Sequence, residues 1–121
     1  MNRLAEALDR VRDRVVGARA ALLVGLDGVV VARSSESAPI ADELLAASFA
    51  DLLRRADASS RDTDLGPAHE LTVAAPQARV VVRRLAADYA LVVLLEPDAL
   101  VGRARHELRL AAERIASEIA A

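Results

Sequence analysis

The residues able to do chemistry in this chain are few and scattered. Its two histidines, His69 and His106, stand far apart, one in a segment expected to be an edge strand and the other in the last helix; two remote imidazoles make a poor metal cluster and read as surface side chains. Ser34, Ser35, Ser37, Ser59 and Ser60 fall in polar connections, with no G-x-S-x-G turn and no evident base to activate them, and no H-E-x-x-H occurs. Cysteine is absent, which excludes disulfides, thiolate catalysis and thiolate metal sites. Lysine is absent as well, so a G-x-x-x-x-G-K-[ST] phosphate loop cannot be supplied with its cation. Arginine remains. Arg33, Arg54, Arg55 and Arg61 could each act as a finger on a partner's phosphoryl-transfer site, but their placement on helix and loop surfaces favours solvation. Arg83-Arg84, at the end of a strand, is weak evidence for a binding patch. No catalytic residue, cofactor ligand or metal ligand is assigned, and an enzyme is not expected.

The elements that would position these side chains are organised around 20–34, AALLVGLDGVVVARS. Two apolar runs, Ala20–Leu26 and Val29–Ala32, flank Asp27-Gly28, a pair that tolerates positive φ and so fits the tight turn of a hairpin. Neither run alternates cleanly, so both faces of the hairpin are expected to be covered and the sheet to carry helices on both sides. Before it, from Asn2 to about Val16, Leu4, Leu8, Val11 and Val15 recur at helical spacing, and Gly17 can end that helix in a left-handed cap. After a polar connection, Pro39 opens a second helix, Ile40–Ala58. Leu44, Leu45, Phe49, Leu52 and Leu53 spread over roughly 180° of its circumference, wider than the ~100° stripe that one sheet covers. Asp57–Pro67 reads as an exposed loop and a candidate hinge.

Three strands follow. His69–Val73 alternates polar and apolar side chains, as at a sheet edge; Pro76-Gln77 turns into Arg79–Leu85; Ala86-Ala87-Asp88 turns into the fully apolar Tyr89–Leu95. Glu96-Pro97-Asp98 is expected to start a last helix whose buried stripe is Leu100, Ala104, Leu108, Ala111, Ile115 and Ile119. The fold class is α/β, an α+β sandwich: helix, two strands, helix, three strands, helix. Tight turns make the pairing antiparallel, and the apolar first and last strands belong at the centre.

At 121 residues the chain is read as one domain, 1–121. Hydrophobic residues at 54% exclude disorder, and a net charge of −2 with interleaved acids and bases gives neither a field for nucleic acid nor a polybasic membrane anchor. With no continuous apolar leader and no membrane-length run, a cytoplasmic location is expected.

The element order, ALLVGLDGVVVARS, the 90–115 run ALVVLLEPDALVGRARHELRLAAERI and the helix between them resemble the roadblock domain family, relatives of dynein light chains and bacterial gliding-motility regulators. The resemblance implies a five-stranded antiparallel sheet with one helix on one face and two on the other, here in the strand order 2-1-5-4-3 with 40–58 alone on its face. It further implies no cofactor, a homodimer, and work as a non-enzymatic regulator of a Ras-like small GTPase, in some bacterial cases as a GTPase-activating dimer that rearranges the GTPase's own active site. The alternative is a dimeric assembly scaffold, alone or paired with another roadblock-domain protein, without effect on GTP turnover.

The dimer contact is expected where two needs coincide. The His69–Val73 edge would otherwise leave backbone groups unpaired, and the middle helix has more apolar circumference than its sheet can cover. The interface residues are then Leu45, Phe49, Leu52, Leu53, His69, Glu70, Leu71, Thr72 and Val73. Arg54 and Arg55 are the candidate GTPase contacts, and proline at Val73 is expected to unpair the joined edges.

Overall fold

The computed structural model describes residues 3–86 and 88–120 and arranges them as a five-stranded antiparallel sheet between one helix and two. The helices are α1 (Arg3–Arg14), α2 (Pro39–Asp62) and α3 (Val101–Ala120); the strands are β1 (Ala18–Gly25), β2 (Val30–Ser35), β3 (Glu70–Ala74), β4 (Arg79–Arg84) and β5 (Tyr89–Leu95). The strand order is β2-β1-β5-β4-β3, as expected, with the most apolar strands at the centre. Sheet alternation sorts the core in two. Ala21, Leu23, Val81, Leu91 and Val93 face α1 and α3, whereas Leu22, Val24, Val80, Val82 and Val92 face α2. The helices close each side: Leu8, Val11, Leu108 and Ile115 on one, Ala46 and Leu53 on the other.

The turn between β1 and β2 spans Leu26 to Val29. The Gly25 N–H donates to the Val29 carbonyl, the Asp27 carboxylate accepts the Val29 N–H at 3.2 Å, and Gly28 sits at φ +92°. A Cβ added there would lie 3.1 Å from the Ala47 Cα, so the glycine serves both the backbone conformation and the close approach of α2. Gly17, at φ +89°, follows α1 as expected.

Several expected boundaries and burials differ. Asn2 and Ala87 lie outside the described residues. β2 is an outer strand and is not covered on both faces: Val31 is 48% exposed, and the register shift between Leu23 and Val24 leaves it without a partner in β1, while Val29 in the turn before the strand is 60% exposed. α2 runs to Asp62, so the expected 57–67 loop is half helix. An Arg61–Asp57 pair across one turn, at 3.0 Å, supports the extra length, and the chain leaves through Asp64 at φ +62°. The Asp57 carboxylate also takes the Ala68 N–H at 2.9 Å and so ties the segment after the helix back to it. α3 begins at Val101, because 97–99 forms a turn closed by Ala99 N–H to the Glu96 carbonyl; Leu100 therefore precedes the helix and is exposed instead of buried. Among the described residues no helix is long and apolar enough to cross a membrane.

Candidate functional site

The side chains with catalytic potential are not brought together. His69 and His106 are exposed, and among the described residues no group of three or more histidines and carboxylates could hold a metal ion. Ser34 and Ser35 take structural roles. The Ser34 hydroxyl donates to Asp9 and accepts from Arg12, joining α1 to β2, while the Ser35 hydroxyl donates to Asp42. Arg33 is fixed as well: its Nε donates to Asp42 at 2.6 Å and its Nη2 to the Ser37 carbonyl at 2.7 Å. A cleft of about 540 Å³ between α1 and α3 contains Ser117, but the nearby charges Arg3 and Glu118 pair with each other and no histidine lines it.

What the fold does assemble is a surface. On α2, Ala46, Ala50 and Leu53 turn to the sheet, whereas Ile40 and Leu44 stand 76% and 70% exposed and Leu52 37%. Ala47 lies against Gly28 at the β1–β2 turn, and Leu45, Phe49 and Leu52 are roughly 140–200° around the helix from it. They therefore occupy the flank away from that turn, toward β3, and Leu45 and Phe49, like Leu71 of that strand, are partly buried against the α2-side core. This overhanging flank adjoins the open β3 edge. Leu53, expected in the interface, is fully buried beneath α2 and belongs to the protomer's own core. Arg54 and Arg55 are exposed and share Asp51, at 3.2 and 3.0 Å.

The β3 register settles which backbone groups point outward. Arg84 N–H donates to the His69 carbonyl, so in the β3–β4 ladder residues 69, 71 and 73 face β4 and residues 70, 72 and 74 face the open side. The Val73 amide is thus spent within the protomer, and proline at Val73 does not probe the edge; Thr72, at the middle of the strand, does. Glu70 has a role that its sequence position did not reveal. Its carboxylate receives two bonds from Arg105 of α3, at 2.8 and 2.6 Å, with Arg83 at 3.9 Å, so its side chain anchors the edge to α3 while its backbone remains open. The same contact holds the Arg105 guanidinium pKa above its ordinary value.

The comparisons with known proteins agree with this architecture. No curated protein matches the chain in sequence. A Roadblock/LC7 domain structure from Streptomyces avermitilis is similar at a TM-score of 0.90 and 18% identity, covering 97% of this chain and 98% of that one. MglB from Myxococcus xanthus is similar at 0.89 and 13%, covering 98% and 96%, and an MglB in a tetrameric arrangement at 0.86 and 22%, covering 95% and 86%. At these identities the likeness is one of fold. The Roadblock/LC7 domain family itself matches residues 4–95, from the first helix through β5, and the chain belongs to that family.

Proposed function

We infer that this chain forms a homodimer that regulates a Ras-like small GTPase, supplying no catalytic group and acting by rearranging the GTPase's own active site. The observation that carries the reading is the juxtaposition of the open β3 edge with the partly exposed apolar flank of α2 formed by Leu45, Phe49 and Leu52. One two-fold contact answers both: β3 continues the sheet into its mate, and Leu45, Phe49 and Leu52 cover their counterparts across the axis. The dimer carries its two α2 helices side by side, with the exposed Arg54 and Arg55 on the helix surface outside that contact as GTPase contacts. Family membership and the likeness to MglB support a regulatory role. The tetrameric MglB favours a second reading, in which the chain is an assembly scaffold, alone or with another roadblock-domain protein, and leaves GTP turnover unchanged.

Pull-down of partners followed by single-turnover GTP hydrolysis, with and without this chain, separates the two. The regulatory reading expects a rate change of about tenfold or more, equivalent to ~1.4 kcal/mol in the barrier, lost in Leu52→Asp. A GTPase complex with unchanged hydrolysis supports the scaffold, and hydrolysis by the purified chain alone contradicts both.

A further inference from the structure

We propose that the open edge of β2, with the clefts that flank it at the β1–β2 turn and at the start of α2, forms a trough that is a second docking site, which takes a short extended segment of another protein bearing alternating apolar and basic side chains. The site lies at the opposite edge of the sheet from β3 and does not depend on the dimer. Two clefts share Val31, one reaching Tyr89 of the row that packs toward α1 and α3, the other on the α2 side. One, of about 410 Å³, runs from the β1–β2 turn to Tyr89 at the start of β5; the other, of about 260 Å³, runs beneath Pro39 and Glu43 of α2. Val29 and Val31 give the trough exposed apolar footing.

Its charge selects the occupant. Asp27, Asp88 and Glu43 line the two clefts with no ion pair among the described residues, whereas Arg33, the arginine lining them, is already neutralised by Asp42. The trough is therefore anionic and suits lysine or arginine beside an apolar anchor. The backbone contributes too. Glu36 N–H donates to the Arg19 carbonyl, and in the register of β1 with β2 this turns the amide and carbonyl of Arg33 away from β1, toward an added strand. A second copy of this chain fits poorly. The irregular register interrupts a flat edge, and two such edges would set acid against acid.

The probe is an acetylated heptapeptide of alternating lysine and valine, with a glutamate–valine peptide of the same pattern as control. Binding to the full chain is followed by fluorescence anisotropy and by residue-resolved amide exchange. The lysine peptide is expected to slow exchange at Arg33. Its affinity should fall by about tenfold or more both in Val29→Ser/Val31→Ser and in Glu43→Gln/Asp88→Asn, changes at exposed positions that leave the buried core intact. Absence of protection at Arg33, equal binding of the acidic peptide, or sensitivity to the charge variants alone would overturn the proposal. So would a chain whose own sedimentation changes in the valine double variant, since the occupant would then be a second copy. Exchange at 70–74 reports the β3 edge in the same data, so failure here and failure of the dimer reading are distinguishable.

Discussion

At the scale of single residues, two carboxylates hold the structure where helix meets sheet. Asp42 is almost wholly buried in the first turn of α2, where it accepts from Arg33 and Ser35. Asp42→Ala leaves both donors without their acceptor, and because Arg33 keeps some access to water we expect a loss of about 2–3 kcal/mol in chemical denaturation. An effect below ~0.5 kcal/mol would mean that water replaces the carboxylate. Asp57 tests the loop after α2. The Ala68 N–H lowers its pKa below the ordinary 3.8, partial burial opposes this, and Arg61 and Arg84 add to the lowering. A depressed carboxyl contributes stability that is complete above its unfolded value and is lost as pH falls through its folded value. A side-chain titration by NMR should place the Asp57 midpoint below 3.8, with Ala68 exchange accelerating only on further acidification; a midpoint at or above 3.8 contradicts the anchor. Neither role was legible in the sequence. Asp42 and Asp57 look like any solvated helix acid until the turns between them and Arg33 and Ala68, nine and eleven residues away, fold those partners back beside them.

At the scale of elements, periodicity located every helix and strand, because apolar spacing is imposed by burial on one face or two. It failed at boundaries set by local hydrogen bonding. Nothing apolar marks residues 59–62 as helix, and Pro97, a plausible first helical residue, instead belongs to a turn ahead of Val101. Alternation also identified β3 as an edge without revealing which amides face outward, since that phase depends on the partner strand. The register supplies a paired test. Thr72→Pro removes an outward donor and should lower self-association while preserving cooperative unfolding of the protomer. Val73→Pro breaks the ladder with β4 and should cost the protomer about 1–3 kcal/mol. Sedimentation and urea unfolding of both variants would check this, and identical behaviour of the two would contradict the assigned register.

At the scale of the whole molecule, one sheet carries two different open edges. β3 lies beside the partly exposed apolar flank of α2, where the dimer is proposed, whereas β2 is bordered by the carboxylates Asp27 and Glu43, where the second docking site is proposed. The width of the apolar arc on α2 was legible as a surplus, and the structure divides it: Leu53 is core, Leu45 and Phe49 are partly buried at its margin, and Ile40, Leu44 and Leu52 remain exposed. That division required knowing where the helix rests on the sheet, which no one-dimensional pattern contains. The dimer is the claim on which the GTPase surface depends, and light scattering of the purified chain at micromolar concentration tests it directly. A homodimer gives twice the 12.8 kDa mass of one chain, falling to the monomer in Leu52→Asp; a wild-type chain at 12.8 kDa would contradict the dimer.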